Sequence, residues 1–183
     1  MPKALITLPS AEYLHQCFEY ESATGELRWR RRPREHFTSL QNFMSWNGKW
    51  AGHIAGRLTV KGYWQVCLQN RRFYVSRIIY KMHHGIDPEW IDHKDRDRTN
   101  NTLENIRSVT MLQNNRNMIK KVGVSGLVGV TKSRNRRFIA MIRDHAGGKR
   151  FLGTFDTAEE AHAAYREAST RIHGEFSPFH RQE

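Results

Sequence analysis

The sequence has only two cysteines, Cys17 and Cys67, and no C-x-x-C pair. That scarcity excludes a disulfide framework and a zinc ribbon and fits a reducing compartment; both thiols are expected as small core residues. No apolar run is long enough to cross a membrane, and Met1–Ser10 lacks a signal-peptide pattern. The expectation is a soluble, intracellular protein with no membrane partner. Acidic residues are few: 18 Asp and Glu face 30 Lys and Arg, for a formal net charge of +12. A protein this basic, with a pI near 10.2, calls for a polyanion or an anionic surface. No strongly basic amphipathic helix is present, so nucleic acid is expected rather than membrane. The G-x-S-x-G, H-E-x-x-H and G-x-x-x-x-G-K-[ST] patterns are also missing, and Asp95 and Asp97 lack the Gly and Glu of an EF-hand loop. With 38% hydrophobic residues in 183, a core is expected to be thin and split.

What is present falls into three stretches. Residues 1–58 are irregular, with a helix expected over Ala11–Tyr20, a strand at Leu27–Arg30, and a loop from the Arg30–Arg34 cluster to about Gly56. Residues 59–118 begin with a hairpin, Tyr63–Gln69 and Phe73–Val75 around a turn at Asn70-Arg71. A helix capped by Ser76 runs to His84 and ends at Gly85. A short strand Trp90–His93, a polar turn Lys94–Asn101, a strand within Leu103–Val109 and a helix from about Thr110 follow. Residues 126–180 give strands at Gly126–Thr131, Arg137–Arg143 and Arg150–Phe155, then a helix opened by the capping box Thr157-x-x-Glu160 and closed by Gly174. Trp29, Trp46, Trp50, Trp64 and Trp90 are expected mainly in packing roles.

The densest chemistry lies between Asp92 and Asn114. Asp92-His93 is followed by the polar turn, by Asn105-Ile106-Arg107, and by Asn114 in Leu112-Gln113-Asn114-Asn115. Phosphodiester hydrolysis needs an attacking water, a base for its proton, and charge to balance the leaving oxygen. Histidine suits the base because it titrates near neutrality, and a divalent ion suits the charge. This constellation, with the upstream Tyr74-x-x-Arg77, resembles the HNH endonuclease family in its phage homing-enzyme branch, over about residues 59–118. The resemblance implies His93 as general base, Asp92 and Asn114 as metal ligands, and Asn105 accepting from the His93 ring N–H to fix its tautomer. Asn114 stands where the family name places a histidine, which makes the ligand set all oxygen and favours Mg²⁺, with Mn²⁺ able to substitute. Arg107 and Arg116 are expected to hold the DNA backbone. Asn100-Asn101 is taken as turn chemistry rather than catalysis.

Residues 126–180 resemble the AP2 domain in Gly129-Val130, Phe138-x-Ala140-x-Ile142-Arg143, Leu152-Gly153-Thr154-Phe155-Asp156, Ala164-Tyr165 and His173-Gly174. Period-two alternation turns Phe138, Ala140 and Ile142 to the helix and leaves Arg137, Ile139, Met141 and Arg143 on the open face. Such a sheet can enter a major groove. Arg143 is expected at a base or phosphate, Lys132, Arg134, Arg136 and Lys149 at phosphates, and Arg137 on the same DNA-binding face.

The whole is therefore expected to be α+β: a ββα-metal module with an N-terminal β-rich extension at 1–118, a basic linker at 119–125, and a three-stranded antiparallel sheet packed on one helix at 126–183. The expected activity is site-specific cleavage of double-stranded DNA with Mg²⁺ and no small-molecule cofactor, in a bacterial cytoplasm and from a phage gene. A monomer on DNA is expected, a dimer being the alternative. The rival readings are a DNA-binding regulator with a decayed nuclease and an RNA-binding or RNA-processing protein.

Overall fold

Ser10 accepts a hydrogen bond from the Tyr13 backbone N–H, which caps helix α1 (Ala11–Cys17). The structure, a computed structural model, describes residues 6–117, 125–144 and 147–180, the side chains of Arg116 and Asn117 excepted. Two compact units divide the chain, Met1–Thr110 and Met111–Glu183. The expected linker lies outside the described residues except for Ser125.

In the first unit α1 stops at Cys17, because Phe18 is already extended and opens a hairpin of β1 (Phe18–Glu21) and β2 (Glu26–Trp29). The stretch read as a loop holds helix α2 (Leu40–Trp50), capped by Ser39. A three-stranded antiparallel sheet follows, β3 (Arg57–Leu58), β4 (Trp64–Leu68) and β5 (Arg71–Tyr74), its tight turn made by Gln69 and Asn70 at positive φ. Helix α3 (Val75–His84) continues directly from β5. Ser76 is buried inside it and does not cap it: Tyr74 takes the cap position without a side-chain bond. Gly85, at φ 73°, closes the helix in the left-handed region. Strands β6 (Trp90–His93) and β7 (Ile106–Val109) then form an antiparallel ribbon.

One apolar cluster binds these pieces, with Leu14, Phe18, Leu27, Leu68, Ile78 and Ile79 fully enclosed. Trp29 is buried in it, Trp46 and Trp64 pack on it, and Trp50 and Trp90 are exposed. Cys17 is buried as expected, but Cys67 faces solvent because it alternates with buried Val66 and Leu68 along β4. The buried Arg77 ties the ends together: its Nη2 donates to Asp87 at 2.5 Å, and its Nη1 to the Ile6 carbonyl at 3.2 Å.

The second unit begins with helix α4 (Met111–Asn117), which the sequence reading grouped with the preceding segment. Strands β8 (Val130–Lys132), β9 (Phe138–Arg143) and β10 (Lys149–Phe155) form an antiparallel sheet with β9 in the centre. Helix α5 (Ala158–His173) opens with the expected reciprocal Thr157–Glu160 capping box. Ala140, Ala158 and Ala161 are buried together, with Phe138, Leu152 and Phe155 packed on them. Gly129 is required here: its φ is 79°, and a Cβ on it would lie 2.0 Å from the Tyr165 ring. The described residues thus form an α+β chain of small antiparallel sheets with helices, and no described helix is long and apolar enough to cross a membrane.

Candidate active site and basic sheet face

His93 is the last residue of β6, opposite Ile106, and is 5% exposed. Asp92 lies opposite Arg107 on the same ribbon. Because alternate strand residues face opposite ways, the ribbon separates a His93 face from an Asp92–Arg107 face up to the point where the strand ends. The turn after His93 is stitched by backbone and amide bonds. Lys94 N–H donates to the Asn105 carbonyl at 2.9 Å, and Arg96 N–H to the His93 carbonyl at 3.0 Å.

The imidazole is held by Asn101 and not by Asn105. His93 Nε2 lies 3.1 Å from Asn101 Oδ1, and Asn101 is itself 3% exposed. The orientation of that amide is fixed independently, since its Nδ2 donates to the Thr99 carbonyl at 3.2 Å. An amide oxygen only accepts, so Nε2 carries the proton and Nδ1 is the basic nitrogen. Asn105 instead clamps the turn: its Oδ1 accepts from Asp95 N–H at 3.0 Å and its Nδ2 donates to the Asn100 carbonyl at 2.8 Å. The expected Asn105–His93 bond is corrected on this point. The chain path brings the buried Asn101 under the ring, while Asn105 spends both ends of its amide on the turn backbone.

The rest of the turn is held by side chains bonding to nearby backbone. Asp95 Oδ1 accepts from Asp97 N–H at 2.8 Å, and Asp97 Oδ1 accepts from the Thr99 N–H and hydroxyl at 2.8 and 2.6 Å. Those bonds, the Thr99 hydroxyl first, hold the Asp97 carboxyl below its usual range. From outside, the β1–β2 hairpin supports the turn. The Tyr20 hydroxyl accepts from Leu103 N–H at 3.0 Å and faces the Asn101 carbonyl at 3.5 Å, and burial raises this phenol above its ordinary value. Gly25, at φ 74°, sits so close that a Cβ would meet Thr102 N at 2.7 Å.

Asp92 and Arg107 form an ion pair, with Nε and Nη2 both on Oδ2 at 2.9 and 2.8 Å; the side chains are 11% and 14% exposed. Arg107, expected to hold the DNA backbone, is engaged here by the Asp92 carboxylate. Asn114 stands half-buried on α4, and the Arg116 side chain lies outside the described residues. Among the described residues no three His, Cys, Asp or Glu side chains gather as a metal cluster. Asp92 belongs to the first unit and Asn114 to the second; each carries an oxygen donor, carboxylate and amide, of the type a hard cation takes. A cleft of about 500 Å³ elsewhere in this unit, beside Tyr13, Arg32, Phe37 and Trp46, contains none of these residues. Arg32 lies over the rings of Phe37 and Trp46, so part of the Arg30–Arg34 cluster is used in packing.

In the second unit the alternation along β9 is as expected. Ala140 and Ile142 are buried against α5, and Arg137, Ile139, Met141 and Arg143 take the other side. Lys132, Arg134, Arg137, Arg143 and Lys149 are all exposed. Arg137 pairs with Asp156 at 2.9 Å and Arg143 donates to the Gly147 carbonyl at 3.2 Å. Phe151 lies opposite Met141 and is 62% exposed.

Residues 73–116 match the family described as HNH endonuclease. The chain is also 50% identical over 60 residues to "Ethylene-responsive transcription factor ERF084" of Arabidopsis thaliana, a match covering 32% of this chain and 23% of that protein. The chain accordingly carries an HNH endonuclease segment, joined to an AP2-like one.

Proposed function

We propose that this chain is a homing-type, site-specific DNA endonuclease in which residues 1–118 cut and residues 126–183 position, across a basic linker at 119–125. The observation that carries this reading is the buried His93, oriented by Asn101 inside the segment that matches the HNH family. His93 Nδ1 takes a proton from water, and the water oxygen bonds to phosphorus. The bond from phosphorus to the 3′ oxygen breaks, that oxygen takes a proton from solvent, and 5′-phosphate and 3′-hydroxyl ends remain. Asn101 stabilises the imidazolium through the Nε2 proton, and Asn105 keeps the turn closed beneath it. The proposed protein ligands of the divalent ion, Mg²⁺ or Mn²⁺, are those the resemblance assigns, Asp92 and Asn114. When bound, the ion supplies positive charge for the phosphoryl oxygens and the departing 3′ oxygen. The duplex is held by Arg137, Arg143, Lys149, Lys132 and Arg134, so binding weakens steeply with salt. The proposed setting is a phage gene acting in a bacterial cytoplasm, with one monomer cutting one strand at a time.

The test is nicking of supercoiled plasmid with Mg²⁺, Mn²⁺ or EDTA. His93→Ala is expected to lower the rate about 10²- to 10⁴-fold, the usual contribution of a general base. Activity that survives this substitution removes the mechanism. One observation favours a second reading, a DNA-binding regulator with a silent nuclease: Asp92 is already neutralised by Arg107. Tight duplex binding without nicking in any metal supports that reading. Competition between duplex DNA and structured RNA separates both from an RNA-binding role.

A further inference from the structure

We infer that the open face of the β8–β9–β10 sheet recognises thymine 5-methyl groups in the major groove of its target; the inference rests on the DNA-binding reading above. Charge is divided sharply within this unit. Residues 126–155 hold seven Lys and Arg against the one carboxylate of Asp144, whereas residues 156–180 hold five carboxylates against two arginines. The sheet, not the helix, is therefore the polyanion-facing side.

The centre of that basic face is apolar. Ile139 and Met141 point away from buried Ala140 and Ile142. Cross-strand pairing sets Phe151 beside Met141, and Thr131 and Thr154 on either side of Ile139. Phe151 is 62% exposed, a large apolar side chain left in water in the middle of a cationic surface. Arg137 and Arg143 bracket this strip at the two ends of β9, and Lys149 lies opposite Arg143. Arg143 stands six residue steps along the chain from Arg137, roughly 20 Å at about 3.3 Å per step, enough to reach phosphates on both sides of a groove about 12 Å wide. Between the phosphates the apolar strip meets base edges, and the one apolar feature there is the methyl group on C5 of thymine. A single-strand stacking platform is disfavoured, because it needs successive aromatic faces and this strip has one ring, flanked by Ile and Met.

The experiment uses the full chain in EDTA, which prevents cleavage, with a randomised 20-base-pair duplex pool carried through rounds of selection. The enriched site is expected to contain thymines. Replacing them one at a time by deoxyuridine removes only the methyl group, and at contacted positions binding is expected to fall about fourfold, as for one buried methyl. Phe151→Ala, at an exposed position, is expected to bind the thymine and uracil duplexes alike. Arg143→Ala and Lys149→Ala are expected to weaken both duplexes equally. If uracil duplexes bind as tightly as thymine ones while the Arg143 and Lys149 variants still lose affinity, the methyl inference is overturned and the DNA-binding face stands. If neither these variants nor Phe151→Ala alters duplex binding, or if single strands or RNA outcompete the duplex, the underlying reading of this face is overturned as well.

Discussion

Replacing Asn101 by leucine removes the acceptor under His93 while keeping a side chain of similar size. The bond is 3.1 Å long between two groups that are 3% and 5% exposed, so no solvent molecule readily takes its place. A buried donor left without an acceptor costs about 1–3 kcal/mol. If that cost falls on the productive ring orientation, kcat drops about five- to hundredfold, which is less than the loss from His93→Ala. KM for duplex is expected to stay the same, because Asn101 is buried and offers almost no surface to a duplex. Asn101→Asp carries the reasoning further. A carboxylate beside the ring favours the imidazolium, and only the neutral ring can act as base. Activity is then lost at neutral pH and recovered as pH rises, the acid limb of the rate profile moving upward. The second carboxylate oxygen of this variant faces the Thr99 carbonyl, so melting temperature is measured alongside rate. The assay is single-turnover nicking across pH 5–9 by about half-unit steps. Leucine and aspartate variants with the parent rate and the parent pH profile would refute the assignment of Asn101 as the group that positions His93.

Three other substitutions or labels follow from the same structure. Gly25→Ala forces a Cβ to within 2.7 Å of Thr102 N at a positive φ, so a loss of about 1–3 kcal/mol and a slower cut are expected, read by thermal melting and nicking. Asp87→Ala leaves the buried Arg77 guanidinium without its carboxylate and the Leu8 N–H without its acceptor; a loss of about 3 kcal/mol is expected in urea unfolding, and a change under 1 kcal/mol contradicts the role given to that pair. Burial pushes the Cys17 thiol up while Cys67 is exposed, so a thiol reagent should label only Cys67 in the folded chain and both cysteines in denaturant.

Much of this architecture was legible because its signals are local. The Thr157–Glu160 capping box, the Gly85 stop and the alternation of β9 each depend on residues a few positions apart; the β4–β5 turn falls at Gln69-Asn70, one residue before the expected Asn70-Arg71, because Leu68 pairs with Arg71. Helix α2 was not legible, although Ser39 caps it. Gly48 and Asn47 weaken its helical propensity, and Asn47 turns inward to pair with both the N–H and the carbonyl of Arg32. The site was legible in its residue types and not in its wiring. Asn100, Asn101 and Asn105 are chemically alike, and only the folded path of the turn decides that Asn101 reaches the imidazole while the others bind backbone. The Asp92–Arg107 pair follows from strand register, which the hydrophobic pattern of four-residue strands does not fix.

The HNH match begins at residue 73, yet the turn that holds His93 is not self-supporting within residues 73–116. Its outer wall is the β1–β2 hairpin, through the Tyr20 hydroxyl on Leu103 and the Gly25 backbone against Thr102. Its inner wall shares a core in which Leu14, Phe18 and Leu27 pack with Ile78, Ile79 and Ile106. A ribbon of two four-residue strands with a short helix cannot stabilise itself in water. The N-terminal region is thus part of the same folded unit as Asp92, His93 and Asn105, and it supplies the surface against which the turn after His93 is formed. This accounts for the placement of aromatic and small residues at Phe18, Tyr20 and Gly25, about 70 to 80 positions in sequence from the His93 turn that they support.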